Sequence, residues 1–276
     1  MKNITDRPSK GFRITKWFLD LIGEDGSILI VYAATLEWKG GLIPYTNILW
    51  HRPGSGLSKR YRFSRVRLPE REGNHITWTD KRFKIAGVWE AVADPLNARL
   101  YESGNQVLDW QCWQPRSKVS LITGDATLEG EGYAEVISTT FSTWEIPLRE
   151  LRWGHMFSGD DWAVWIELRV NKQSQWIWWN GEKKDGCLLS DTELFFPDPG
   201  VTLKLDGGLI LEKEQKVNRV AGRLVGFIPG FSKILPKAFL MAHQTMWASR
   251  IQLAMEGREG LSGGRAIHEF LNANPK

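Results

Sequence analysis

The sequence predicts an all-β fold, because short apolar runs alternate with polar residues and turn signals separate the runs at regular spacing. The first three runs cover residues 12–20, 27–38 and 42–50. The turn signals are Glu24-Asp25-Gly26, Lys39-Gly40-Gly41, Pro53-Gly54-Ser55-Gly56, Asn180-Gly181 and Asp206-Gly207-Gly208. Many short strands joined by such turns are typical of an antiparallel β-sandwich or β-barrel.

Two elements near the C-terminus are predicted from their local patterns. Asp206-Gly207-Gly208 separates residues 202–205 from residues 209–212, which is typical of a β-hairpin. Residues 264–271 favour a helix, since a helix would bring four apolar side chains onto one side: Ala266, Ile267, Phe270 and Leu271. We therefore expect a short C-terminal helix beside the strands.

The chain contains a faint internal repeat. Lys16-Trp17 is followed by a strand, an acidic turn and a second strand, and Arg152-Trp153 is followed by the same three features. The two basic–tryptophan pairs lie about half the chain length apart. We therefore expect two similar β units, residues 1–140 and residues 141–276.

The length and charge of the chain narrow the range of partners. The 276 residues are enough for one large β domain or two ordinary ones. The net charge of +4 is spread along the chain, so exposed strand faces explain basic segments such as Lys59-Arg60-Tyr61-Arg62 better than a nucleic-acid partner does. No apolar run approaches the roughly 20 residues of a membrane span, and the N-terminus lacks the apolar core of a signal peptide. The expected location is the cytoplasm.

Cofactor chemistry has no motif in this sequence. The two cysteines, Cys112 and Cys187, do not have metal-ligand spacing, and the five histidines are dispersed. A glycine-rich phosphate loop and a G-x-S-x-G elbow are both absent. We therefore expect no metal site and no bound cofactor.

Tryptophan is the most informative residue type, with 15 copies against 5 tyrosines. Indoles can fill a β core, but so many of them favour a cavity that holds a large apolar ligand or a cation against aromatic faces. The candidates for substrate binding are Trp17, Trp38, Trp153, Trp165, Trp247 and Arg152. Exposed, coplanar indoles would instead indicate a carbohydrate-binding protein.

Tyr133 and Glu135 form a candidate acid–base pair, because alternate residues of a strand share one face. Gly130 and Gly132 precede them and allow a bulge or a close backbone approach. The alternative is an outward-facing pair beside a barrel rim.

Arg152, Trp153 and His155 gather a guanidinium, an indole and an imidazole within four residues, and His155 shares a strand face with Trp153. A histidine in this place either acts as acid or base near neutral pH or serves only as a hydrogen-bonding core or rim residue.

Two later runs carry further candidates. In residues 161–170, Trp165 and Glu167 share one face, which is either a polar cavity wall or a solvent face. In residues 241–253, His243 and Trp247 share a face.

Several motifs, which keep their order along the chain, resemble the carotenoid hydratase-like proteins, also called hydroxyneurosporene synthase-like. They are Lys16-Trp17-Phe18-Leu19-Asp20, Trp110-Gln111-Cys112, Gly132-Tyr133-Ala134-Glu135, residues 148–154 and Ala266-Ile267-His268-Glu269-Phe270. The resemblance implies two lipocalin-like β-barrel units packed together, a hydrophobic cavity and no required redox cofactor. Proteins of this broad type include polyene hydratases, tocopherol cyclase-like proteins and pericyclases of natural-product pathways.

We therefore expect an enzyme that cyclises, isomerises or hydrates a carbon–carbon double bond of a large apolar, polyene-like substrate. The candidates for acid–base work are Glu135, Tyr133, Asp20, Glu167, His155 and His243. In a pericyclic reaction the shape of the cavity would do most of the work, and no single acid would be essential. The alternative is a lipocalin-like carrier that binds an apolar small molecule without reacting with it.

Overall fold

The computed structural model describes residues 11–64, 66–124, 126–142, 145–216, 243–255 and 258–273. Every regular secondary-structure element in these residues is a β-strand. None of these segments is therefore a helix with the length and apolar character needed to cross a membrane. The chain divides into two compact units, the N-terminal unit (Met1–Glu145) and the C-terminal unit (Ile146–Lys276).

The N-terminal unit is a single antiparallel sheet. Its strands are β1 (Arg13–Gly23), β2 (Ile28–Trp38), β3 (Gly41–Arg52), β4 (Gly56–Arg62), β5 (Glu70–Glu72), β6 (His75–Asp80), β7 (Ile85–Ala91), β8 (Leu96–Ser103), β9 (Gln106–Thr123) and β10 (Ala126–Thr139). The strand order is β4-β3-β2-β1-β10-β9-β7-β6-β5, and β8 also pairs with β9.

The C-terminal unit is a second antiparallel sheet. Its strands are β11 (Glu150–Ser158), β12 (Asp161–Arg169), β13 (Gln173–Trp179), β14 (Glu182–Lys184), β15 (Leu188–Leu189), β16 (Glu193–Phe196), β17 (Val201–Leu205), β18 (Leu209–Lys216), β19 (His243–Met255) and β20 (Arg258–Asn272). The order is β14-β13-β12-β11-β20-β19-β17-β16-β15, and β18 also pairs with β19.

The two sheets repeat one topology, strand for strand. Trp17 lies in the first strand of one sheet and Trp153 in the first strand of the other. Each sheet is curled into a half-barrel, as expected for lipocalin-like units. Tight turns join many neighbouring strands; between β13 and β14, Asn180 and Gly181 have φ values of 50° and 85°, which fit the type I′ turn of a two-residue hairpin.

Each unit has its own hydrophobic core, and the central strands are buried on both faces. In β1, Leu19 and Leu21 join one core cluster with Trp78 and Trp89. The alternate residues Phe18 and Asp20 are also buried, although they point to the opposite face. Polar groups on that second face are therefore removed from water.

The predicted C-terminal helix is wrong, because residues 264–271 lie within strand β20. Ala266 and Ile267 are neighbours in sequence and both are buried. A strand that is buried on both faces loses its alternation, so its apolar residues fit helical spacing equally well. The hydrogen-bond partners decide between the two, since β11 and β19 lie on either side of this segment.

The predicted hairpin at Asp206-Gly207-Gly208 is also wrong. Strands β17 and β18 both pair with β19, at successive positions along it, and not with each other. Asp206 accepts hydrogen bonds from the backbone N–H groups of Gly208 (3.0 Å) and Arg250 (2.9 Å), which fastens the turn to β19. A long strand that offers partners to both segments removes the need for a local hairpin.

Candidate functional site

Glu135 lies in the middle of β10, between β1 and β9, where its register partners are Phe18 and Cys112. Phe18 is in turn opposite Tyr32 of β2. Cross-strand partners project to the same side of a sheet, so these four side chains form a row across the buried second face. With Asp20, Trp110 and Tyr133 beside them, they make up what we call the Glu135 cluster.

The carboxylate of Glu135 is 4% exposed and is held by two donors within the cluster. The Tyr133 hydroxyl donates to Oε2 at 2.5 Å, and the indole Nε1 of Trp110 donates to the same oxygen. Tyr133 and Trp110 have no exposed surface. Two donors on one oxygen fix the orientation of the carboxyl group.

Asp20, another candidate acid, has a backbone role in the same cluster. Its Oδ1 accepts the backbone N–H of Tyr133 at 2.9 Å. The pairing of β10 with β9 shifts register on both sides of Ala134, and Pro115 in the opposing segment of β9 has no N–H to donate. Asp20 therefore supports an irregular stretch of the sheet just before Glu135.

Gly132 makes a second close contact possible at this irregularity. The indole of Trp89 donates to the backbone oxygen of Asp20 at 2.6 Å. A Cβ atom on Gly132 would lie 2.4 Å from that oxygen. The close backbone approach that the glycines before Tyr133 allow is therefore present, beside an irregularity in register.

Burial controls the protonation of two groups in the cluster. It raises the pKa of the Tyr133 phenol well above its usual value of 10, and the neighbouring Cys112 and Glu135 raise it further. It also raises the pKa of the Cys112 thiol well above 9. Both groups therefore stay neutral at physiological pH, and Tyr133 acts towards Glu135 as a hydrogen-bond donor.

Aromatic rings and one amide extend the face around Glu135. Phe18 contacts Tyr32 and Tyr133 edge to face, with ring centroids 5.3 and 6.0 Å apart. Beyond Tyr32, its register partner on β3 is Asn47, which is 3% exposed. The Asn47 side-chain oxygen has no hydrogen-bond partner among the residues that the structure describes. An orphaned buried acceptor is unusual and calls for an explanation.

Glu167 lies in a different setting, inside an ion network of the C-terminal unit. It has no exposed surface and accepts hydrogen bonds from Arg152 (3.0 Å), Gln173 (2.7 Å) and Gln175 (2.7 Å). Arg169 adds an ion pair at 3.3 Å. Both oxygens of this carboxyl group are engaged by protein donors, which suits a structural role.

Arg152 is committed to the same network. Its guanidinium also pairs with Glu150 (3.0 Å) and Asp191 (2.7 Å) and lies 4.6 Å above the ring of Phe270. The face shared by Trp165 and Glu167 is therefore neither bare cavity wall nor solvent face: Trp165 belongs to the hydrophobic core of this unit, and Glu167 to its ion network.

A second buried histidine, His268, occupies the same side of the C-terminal sheet as Trp165. Gly154 lies between them, and a Cβ there would come 2.4 Å from the Trp165 ring and 2.8 Å from His268 Cβ. His268 stacks on Trp247 with centroids 5.0 Å apart, and its Nε2 is 2.9 Å from the Ser249 hydroxyl. Burial lowers the His268 pKa from 6.5 to about 4, which keeps the imidazole neutral.

The remaining candidates do not form one site. Trp153 and His155 are in edge-to-face contact at 5.7 Å, as strand alternation predicts. Trp17 packs against the N-terminal core, on the face opposite Glu135. Trp38 lies near the end of β2, under the ammonium of Lys39, and His243 is half-buried at the start of β19.

Sequence reasoning missed Trp110, Cys112, Asn47 and His268 as site residues. All four lie in motifs or runs already noted, but their roles depend on partners far along the chain. The signal available was the Trp110-Gln111-Cys112 motif, whose first and third residues must share a strand face.

The tryptophans and the surface clefts narrow the possible functions. Every tryptophan that the structure describes is buried or half-buried, which disfavours the exposed platforms of a carbohydrate-binding protein. Clefts in the N-terminal unit lie away from the Glu135 cluster; one of about 520 Å³ is lined by Arg71, Trp113 and Gln114 among others. No group of three potential metal ligands occurs in the described part of the chain.

Comparison with solved structures shows the fold. A protein from Nitrosomonas europaea assigned as AttH superposes with a TM-score of 0.57 at 12% identity, over 100% of this chain and 97% of the other. CghA superposes with a TM-score of 0.55 at 10% identity, over 96% and 90% of the two chains. CghA in complex with Sch210972 gives a TM-score of 0.53 at 10% identity, over 95% and 88%.

No protein-family profile and no curated sequence matches the chain. The structural likeness nevertheless covers nearly the full length of both partners in each comparison. The chain therefore shares with these proteins a fold of two curled antiparallel sheets, consistent with a double lipocalin-like arrangement.

Proposed function

We propose that the protein is an enzyme of natural-product or isoprenoid metabolism that cyclises, isomerises or hydrates an apolar, polyene-like small molecule at the Glu135 cluster. One observation carries this proposal: a buried carboxyl group, oriented by a neutral phenol and an indole, on a face lined with aromatic rings. Among the described residues, no other carboxyl group is both buried and oriented by a phenol and an indole.

The chemistry assigned to Glu135 is a proton transfer to and from carbon. The protonated carboxyl group gives its proton to one carbon of a double bond, which leaves positive charge on the other carbon. A second double bond attacks that carbon in a cyclisation, and water adds to it in a hydration. In a cyclisation or a hydration, the proton released in the last step returns to the Glu135 carboxylate. In an isomerisation, the cation loses a proton to that carboxylate without an intervening step.

The neighbours of Glu135 would assist each step. Tyr133 and Trp110 are positioning residues, because they hold Oε2 in one place and stabilise the carboxylate once its proton has left. The faces of Phe18 and Tyr32 are suited to stabilise developing positive charge. Exclusion of water strengthens all of these interactions.

The distance between Asn47 and Glu135 indicates how long the ligand would be. Three strand spacings separate β3 from β10, so Asn47 and Glu135 are roughly 14 Å apart across the face. A polyene chain of that length would run over Tyr32 and Phe18 and place a polar end, such as a hydroxyl group, at the unpartnered Asn47 oxygen. The resemblance to carotenoid hydratase-like proteins and the fold shared with CghA, crystallised with Sch210972, support a small-molecule ligand.

The alternative is a non-catalytic carrier, with which polar groups that satisfy one another within the protein are compatible. Tyr133, Trp110 and Cys112 have no exposed surface, and their hydrogen bonds close within the protein. A carrier needs an apolar face but no proton donor, so mutation of Glu135 separates the two functions.

The first experiment is native mass spectrometry of the purified protein, followed by extraction and identification of bound small molecules. A co-purified terpenoid or polyene would name the substrate class. That compound, together with geranylgeraniol and lycopene, would then be incubated with the protein in D₂O. An acid mechanism places solvent deuterium on a carbon of the product, whereas a pericyclic reaction does not.

The decisive variant is Glu135→Gln, with Glu129→Gln as the matched control, because Glu129 is an exposed acid on the same strand. Loss of a general acid should lower turnover at least ~100-fold with near-normal binding. Glu129→Gln should be fully active. Equal turnover of the two variants would remove Glu135 from the mechanism, and binding without turnover in the wild type would establish the carrier.

A further inference from the structure

A cleft of about 740 Å³ brings together two basic stretches that are separate in sequence. Arg62 and Arg67 follow from the end of β4, and Lys81 and Arg82 lie in the turn between β6 and β7. Among the residues that the structure describes, the walls hold these four cationic side chains and one carboxylate, Asp80, which gives a local charge of +3.

Asp80 fixes the shape of this cleft and offsets only one of its four positive charges. Both of its oxygens accept hydrogen bonds from Nη1 of Arg62, at 2.9 and 2.7 Å. Its Oδ1 also accepts the backbone N–H groups of Arg82 (2.9 Å) and Phe83 (3.2 Å), an arrangement that shapes the turn. Asp80 is therefore saturated by donors from the protein, while Lys81, Arg82 and Arg67 are exposed to solvent.

The guanidinium of Arg62 has a hydrogen-bond donor for which the described residues provide no acceptor. Its side chain is only 14% exposed, and it meets Asp80 through Nη1 alone and not through the two-pronged fork that arginine usually offers a carboxylate. Its buried Nε–H has no hydrogen-bond partner in the described part of the chain. Buried donors of this kind are nearly always satisfied, so an acceptor other than the described residues is expected.

We propose that this cleft binds a small molecule through an oxyanion group, of which a phosphate or diphosphate is the best match. Three exposed cations would surround the anion, and the Arg62 guanidinium would donate to it from the floor of the cleft. The cleft volume lies within the usual range for small-molecule sites. This site is separate from the Glu135 cluster and does not depend on the function proposed there.

A nucleic-acid surface fits the geometry less well. Binding along a phosphate backbone requires a row of cations over several phosphate spacings, whereas these cations converge on one concave site. A convergent set favours one compact anion with several oxygens.

The test is isothermal titration of the whole protein with pyrophosphate, inorganic phosphate and citrate at low ionic strength. We expect saturable binding at one site, tightest for pyrophosphate. The double variant Lys81→Gln/Arg82→Gln should weaken it at least ~10-fold, the scale of one lost charge-assisted hydrogen bond. The control Lys118→Gln removes an exposed charge from β9, outside the cleft, and should bind like the wild type.

A second variant tests the floor of the cleft without leaving a buried charge. Arg62→Gln/Asp80→Asn replaces the ion pair by two amides, and circular dichroism would verify its folding. It should bind pyrophosphate at least ~10-fold more weakly than the wild type does. Unchanged binding in both double variants would overturn the proposal, as would equal weakening in Lys118→Gln. Binding of a duplex DNA in place of pyrophosphate would assign the patch to nucleic acid instead.

Discussion

Lowering the pH should destabilise the C-terminal unit through His268. This imidazole is 5% exposed, and burial lowers its pKa from 6.5 to about 4. Between those two values the unfolded chain binds a proton that the folded unit excludes, so stability is full above pH 6.5 and falls as the pH decreases. The slope is about 1.4 kcal/mol per pH unit, which gives about 2 kcal/mol at pH 5.0 and about 3 kcal/mol near pH 4.

The charges around His268 set the direction of this effect. Asp191 and Asp206 would raise its pKa, but the cost of burying an imidazolium outweighs them, and His155 lowers the pKa further. The ring is also confined by its stack on Trp247. A proton on His268 therefore has no nearby carboxylate strong enough to offset its burial.

The assay compares the wild type with His268→Gln in urea unfolding at pH 7.5 and 5.0, followed by tryptophan fluorescence. Glutamine keeps a hydrogen-bonding group near Ser249 but does not titrate. Titration of the other acids is common to both proteins, so it cancels in the difference. The variant should lose about 2 kcal/mol less than the wild type between the two pH values.

Nuclear magnetic resonance of the imidazole nitrogens supplies the direct check. A folded-state pKa near 6.5 for His268 would refute this account of its burial. So would an identical loss of stability in the two proteins between pH 7.5 and 5.0.

Three further changes test the packing of the C-terminal unit. Gly154→Ala places a carbon 2.4 Å from the buried ring of Trp165, and such overpacking should lower the free energy of unfolding in urea by about 1–3 kcal/mol. Glu167→Gln takes from Arg152 its most deeply buried carboxylate and should cost about 3 kcal/mol in the same measurement. Trp153→Ala removes a 7% exposed indole and should cost about 3 kcal/mol; if this indole also contacts ligand, the folded variant will bind lycopene more weakly.

Matched controls exist for the first two changes. Gly11→Ala meets no atom within 4 Å, and Glu193 is an exposed acid of the same unit. Alanine and glutamine at these positions should change the free energy of unfolding by less than ~0.5 kcal/mol. A Gly154→Ala protein as stable as the wild type would show that the indole beside it can move aside. Wild-type stability in Glu167→Gln would contradict the assigned ion network.

Much of the N-terminal site could be predicted because it depends on local geometry. Alternation along one strand places Tyr133 and Glu135 on one face whatever else the chain does, and their hydrogen bond follows. The glycines before them permit the register shifts found there. The identity of the other donor could not be predicted, because Trp110 reaches Glu135 only through the register of β9 against β10.

Long-range pairing also explains the two errors in secondary structure. Residues 264–271 and the turn at Asp206 each have a local pattern compatible with another conformation. The neighbouring strands β11 and β19 offer backbone hydrogen bonds that a helix or a local hairpin would leave unused. In residues 264–271 the local pattern is ambiguous because the strand is buried on both faces, and at Asp206 the long strand β19 supplies the partners of both flanking segments.

The sequence by itself determined the all-β character, most turns and the pairing of Tyr133 with Glu135 on β10, since each of these follows from spacing along a few residues. Only the tertiary structure decided which carboxyl groups are held in one orientation, which form ion pairs and which cationic side chains line one cleft. Asp20 meets Tyr133 across 113 residues, and Arg62 meets Asp80 across 18. Burial, charge pairing and pKa depend on such distant neighbours, whose arrangement exists only once the sheet has formed.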